Sequence, residues 1–172
     1  MTKALGRLFD IGSVVAPIAD LAAGANTGHR VHLKNCGGVA FVVLKGVASA
    51  GTDDVVVDVK EHTAATSGTS RDLDVVTTAY IKNEASLDGD ETWTKLTQTA
   101  ASEVTLAGAT YAAHQAILVI EVDATQLSDD CEWVSVDIAD PGTGGTIPGA
   151  VIAIPYDLTV QRAPENLAQL NA

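Results

Sequence analysis

The stretch Val31–Gly46, VHLKNCGGVAFVVLKG, decides the fold class. Two β-prone runs flank Asn35-Cys36-Gly37-Gly38, a cluster of turn-formers that reads as the turn of a hairpin. In the second run Val39, Phe41 and Val43 alternate with Ala40, Val42 and Leu44, so both faces of the strand are apolar. Such a strand is either buried on both sides or meets a partner.

Outward from this stretch the same pattern repeats. Strands are expected over 30–34, 39–45, 55–62, 74–83, 91–98, 116–123, 131–139 and 150–155. VVVDVKEH (55–62) and EWVSVDIAD (132–140) show period-2 alternation, while AILVIEV (116–122) is more uniformly apolar and suits a strand buried on both sides. The breakers ASAGTDD, AATSGTS, SLDGDE, AGATYAA and DPGTGGTIPG separate them, and DATQLSDD offers one brief helical turn. No βαβ alternation and no internal repeat is visible. The expectation is an all-β antiparallel sandwich, jelly-roll-like, with extended N- and C-terminal arms. An arm over 1–28, with room for a short helix around Pro17–Ala23, precedes a body over 29–156 and a tail over 157–172.

Across 172 residues the net charge is −12, and no Lys or Arg falls between Leu96 and Gln161. Such a surface repels nucleic acid and anionic lipid, so partners of either kind are not expected. A solvated acidic face is the simple reading, and a calcium-binding one the alternative. The N-terminus lacks an apolar leader, and no run reaches the ~18 apolar residues of a membrane span. Synthesis in the cytoplasm with reduced thiols is the expectation. Cys36 and Cys131 each read as a buried free thiol, with a bridge between them as the alternative.

Chemistry-bearing patterns are sparse. His29 and His32 stand three apart but lack the cysteines or acids of a zinc site. Cys36 near His32 suggests a nucleophile and base only weakly; a turn residue is simpler. Walker, G-x-S-x-G, dinucleotide and H-E-x-x-H signatures are all missing. Asp88, Asp90 and Glu91 cluster in LDGDETW without the spacing of a calcium loop. Trp93 and Trp133 suit a core position better than a sugar platform. The residues therefore point to no catalytic site, no metal site and no cofactor.

Three segments carry a resemblance: VHLKNCGGVAFVVLKG, then VTTAYIKNEASLDGDETWTKLTQTAASEVTLAGATYAAHQAILVIEVDATQL, then CEWVSVDIADPG. Over roughly Ile11 to Asp157 the chain resembles small structural proteins encoded in the head regions of tailed bacteriophages. The resemblance implies a virion protein, a capsid decoration (cement) or minor capsid protein on the outside of the head, with the major capsid protein as partner. It carries no active-site residues. Decoration proteins of this kind often sit as homotrimers at threefold positions. The capsid contact is expected from the N-terminal arm, through Leu8, Phe9, Ile11, Val14, Val15, Ile18 and Leu21, together with apolar strand faces. A carbohydrate-binding or host-recognition module, and a tail or connector component, are the alternatives.

Overall fold

The computed structural model describes residues 4–142 and 145–171, the side chains of Pro17 and Ile18 excepted. Eleven strands are defined: β1 (Gly12–Asp20), β2 (Val31–His32), β3 (Gly38–Lys45), β4 (Val55–His62), β5 (Ser70–Asp72), β6 (Val76–Glu84), β7 (Thr94–Ala101), β8 (Glu103–Leu106), β9 (Gln115–Asp123), β10 (Trp133–Ile138) and β11 (Pro148–Tyr156). The helical parts are one turn, α1 (Gly108–Tyr111), and short 3-10 turns at Ala124–Gln126 and Pro164–Asn166.

The strands form two antiparallel sheets, as the alternating pattern predicts. The first is six-stranded in the order β1-β11-β3-β9-β6-β7; the second runs β2-β10-β4-β5, with β8 also on β4. β4 is long enough to take two partners on one edge: Val55–Asp58 pairs with β8 and Lys60–His62 with β5. Among the described residues only β4–β5 and β6–β7 are hairpins within a sheet; the other consecutive strands lie in different sheets, which locks the two layers together.

The core lies between the layers. Val39, Phe41 and Val43 of β3 and Leu118, Ile120 and Val122 of β9 face Val55, Val57 and Val59 of β4 and Val134, Val136 and Ile138 of β10, all fully buried. Most of these are β-branched and none but Phe41 is aromatic, so the core fills with stiff side chains that suit a pleated surface.

Four expectations change. The opening stretch is not a hairpin: β2 pairs β10 in one sheet, whereas β3 lies in the other, so Asn35–Gly37 makes a corner between layers. The Gly37 N–H donates to the Tyr156 carbonyl at 3.0 Å, and a Cβ on Gly38 would collide with the Tyr156 hydroxyl and the Val122 carbonyl. Crowding against Asp157, Tyr156 and the Val122 carbonyl, not hairpin geometry, favours this glycine pair.

The N-terminal segment takes a different course from the free arm and helix expected. Gly12–Asp20 is the edge strand β1, paired with β11, and Val14 is 1% exposed. Two register shifts break that ladder, which is why alternation is hard to read there. The C-terminal tail also folds back. Asn171 bridges Val31, the His32 N–H donates to the Leu170 carbonyl, and the Arg162 N–H donates to the Gly6 carbonyl. The tail covers the β2 edge, and the two terminal segments tie to each other.

β9 is not buried on both sides either. Ala116, Leu118, Ile120 and Val122 point inward, but Ile117 and Val119 are only half-buried and Glu121 and Asp123 are exposed.

Candidate interaction surface

The two outer faces of the sandwich differ in kind. On the smaller sheet the outer face is polar. Asp58, Lys60 and His62 of β4 stand opposite Asp137, Ser135 and Trp133 of β10. The Lys60 ammonium lies between Asp58 and Asp72, and these carboxylates hold its pKa well above the ordinary lysine value against the effect of burial.

This face contains a serine–histidine pair, with His62 Nε2 2.9 Å from Ser135 Oγ. Its arrangement is not that of a nucleophile and base. Both residues are buried, and the nearby carboxylate, Asp137, reaches the serine at 3.4 Å and not the second ring nitrogen. His62 Nδ1 is buried without a partner. Burial, with the positive charges of Arg30 and Lys60 nearby, lowers the His62 pKa to about 4, so the ring is neutral at pH 7.

Next to it, the buried Glu61 clamps a loop. It accepts the Ser128 N–H at 2.8 Å, the Ser128 hydroxyl at 2.7 Å and Arg71 Nε at 3.0 Å. Burial acts to raise its pKa, but these donors outweigh it and the carboxyl is held low.

The other sequence candidates are placed as follows. His32 stacks on Trp133, centroids 4.3 Å apart, and its Nε2 lies 3.2 Å from Glu132. His32, Cys36 and Asp10 do converge, on a cavity of about 170 Å³ under the C-terminal tail. There the Cys36 thiol donates to the Leu33 carbonyl at 3.5 Å, and burial pushes its pKa up to about 11. A thiol so held is protonated at neutral pH and is a poor nucleophile. Cys36 and Cys131 are both free and buried. His29 is exposed. Glu84, Asp88, Asp90 and Glu91 gather at the β6–β7 turn with carboxylate oxygens within 4.8 Å of one another, mostly exposed. Trp93 is half exposed, with Lys82 5.2 Å from its ring centre.

The outer face of the six-stranded sheet is apolar at its centre. The register sets Ala150, Leu44 and Ile117 in one row; Ile152, Val42, Val119 and Tyr80 in the next; and Ile154 and Ala40 in a third. Their chain neighbours face the core, so by strand alternation these side chains face outward. Leu44 is 39% exposed and Tyr80 38%; the others are half-buried, apart from the small Ala150, which is buried among its neighbours. With about 4.8 Å between strands and 3.4 Å per residue, the patch spans about 19 by 17 Å, on the order of 300 Å². That reaches the size at which an exposed apolar patch on a soluble protein is often an interaction site. Lys82, Lys95, Glu84, Glu121 and Asp123 ring it.

The expected arm residues divide. Val14, Val15 and Leu21 are used in the protein's own core, and Phe9 is half-buried beside Tyr156. Leu8 and Ile11 are exposed, and the side chain of Ile18 lies outside the described residues. Outside the core the N-terminal segment still exposes Leu5, Leu8 and Ile11, and the sheet face adds a contiguous apolar surface. The opening stretch carried that signal, since β3 has no polar face. Tyr80, Ile152 and Ile154 could be added only once the register brought three more strands alongside.

Compared with protein-family models, curated proteins and solved structures, the chain matches none.

Proposed function

We propose that this chain is a non-enzymatic structural protein of a tailed-phage virion. It sits on the outer surface of the head and bridges major capsid protein subunits. The observation that carries the reading is the apolar outer face of the six-stranded sheet, on a protein whose net charge is −12. An antiparallel sheet whose outer face meets only water carries polar residues there. A face built from Val, Ile, Leu and Tyr loses free energy when covered, at roughly 25 cal/mol per Å².

The acidic charge supports the outer side of a shell, because the inner side faces packaged DNA. Terminal segments docked on the body make a stiff plug, which loses little conformational entropy on binding. Copies placed around a symmetry axis, a trimer being the simplest at threefold positions, would repeat one contact.

The test is to mix the purified protein with expanded, undecorated heads. The expected result is co-sedimentation and a higher melting temperature of the heads, both lost in a Val42→Lys/Val119→Lys variant. No binding by the native chain overturns the proposal. The half-exposed Trp93 favours a second reading, glycan binding, which a glycan array with a Trp93→Ala control separates from the first.

A further inference from the structure

The β6–β7 hairpin suggests a second contact, independent of the apolar face. β7 is the last strand of its sheet and pairs only with β6. Thr94, Lys95, Thr97, Gln98, Thr99 and Ala100 are exposed, and Leu96 alone packs against the core cluster from the middle of this strand. Both faces of β7 meet solvent, so the opposite sheet does not reach beneath it.

Edge strands present a row of unpaired N–H and C=O groups, and proteins usually guard them. Here the other edges are guarded. β1 is broken by two register shifts and gives its Val14 carbonyl to the His29 N–H. β2 is covered by Leu170 and Asn171 of the tail, and β5 and β8 are three and four residues long. Among the described residues β7 is the longest edge that no other segment covers; its ladder on β6 is regular over Thr94–Thr97 and shifts register once before Ala101. Three threonines favour the extended state, no proline interrupts it, and Lys95 is its single charge.

The occupant follows from charge. At the Thr94 end of the edge stands the turn carrying Glu84, Asp88, Asp90 and Glu91, with Lys82 held over Trp93 on the same hairpin. A second copy paired antiparallel through its own β7 would bring its Ala101 end, followed by Glu103, beside these four carboxylates. Acid would meet acid.

We propose that β7 receives an extended segment of another protein as an added strand, with Lys or Arg at the end lying on the Glu84–Glu91 turn. Main-chain hydrogen bonds supply the affinity and the carboxylates set the register.

The probe is a synthetic peptide of alternating Thr and Val ending in two lysines, added to the full chain labelled with ¹⁵N. The expected result is slowed hydrogen exchange, by tenfold or more, at alternate β7 amides, with chemical shifts changing at Asp88–Glu91. A peptide with two glutamates in place of the lysines should bind at least tenfold more weakly. One N-methylated at alternate residues, which cannot donate along one edge, should give no protection. Unchanged β7 exchange with the lysine peptide, or equal binding by the methylated peptide, overturns the proposal. Protection that grows with protein concentration without peptide also overturns it, in favour of β7 pairing between copies.

Discussion

Val42 and Val119 stand directly opposite each other on β3 and β9, and both face away from the core. Their chain neighbours Phe41 and Ile120, also paired, are fully buried. One ladder therefore carries two kinds of valine-rich surface, one filled by the protein and one not. Val42→Thr and Val119→Thr should each cost less than about 1 kcal/mol, as surface changes do. Phe41→Ala should cost about 3–5 kcal/mol through the cavity it leaves. Urea unfolding of the three variants checks this, and a cost at Val119 near that at Phe41 would show the outer face to be covered by the chain itself.

Lys45 is buried at the end of β3, and its ammonium donates to the carbonyls of Gly46 (2.9 Å), Tyr111 (2.7 Å) and His114 (3.0 Å). Burial lowers its pKa, but three acceptors use its three donors. Lys45→Met keeps the stem and leaves those carbonyls unpaired. The expected loss is about 2–4 kcal/mol, or roughly 5–15 °C in Tm for a domain of this size, read by calorimetry.

His62 links stability to pH. Unfolded, the imidazole takes its proton near 6.5; folded, only near 4. Between these values the unfolded state binds more protons, so stability from this group is full above pH 6.5 and falls as the pH drops towards 4. The whole effect is about 3 kcal/mol. Denaturation at pH 7, 5.5 and 4.5 should show the decline, and a His62→Gln variant should lack most of it.

Removing residues 1–24 should damage the body itself. The deletion strips β1 from β11 and takes away Val14, Val15 and Leu21. Three buried aliphatic side chains alone contribute several kcal/mol. Circular dichroism of the truncated chain should show a Tm lowered by more than 10 °C or no cooperative transition.

Both thiols should react with Ellman's reagent only after denaturation, because Cys36 and Cys131 are buried and burial raises each pKa. Rapid labelling of Cys36 in the native protein would contradict the placement of the β2–β3 corner under the tail.

Several elements were legible because local pattern and tertiary role agree. β4 alternates cleanly, and its bounds Val55–His62 follow from the residues alone. β5 and β8 escaped, since three and four residues are too few to show a period, and the partner of β8, β4, lies far back along the chain. β1 escaped because its bulges break the alternation and Pro17 argued for an arm or helix start. Cys36-Gly37-Gly38 looked like a hairpin turn, because no local feature tells a hairpin from a corner between sheets; the partners of β2 and β3 decide that. For the candidate surface, the two apolar faces of Val39–Leu44 were visible at once. The extent of the patch was not, because it depends on the register of β11, β9 and β6.

The most direct test of the docking surface is hydroxyl-radical footprinting of the protein free and bound to undecorated heads. Protection is expected at Leu44, Tyr80, Ile117, Val119 and Ile152, with Trp133 and the strand around Lys60 labelled as before. Saturating binding with unchanged labelling of Leu44 and Tyr80 would contradict the account.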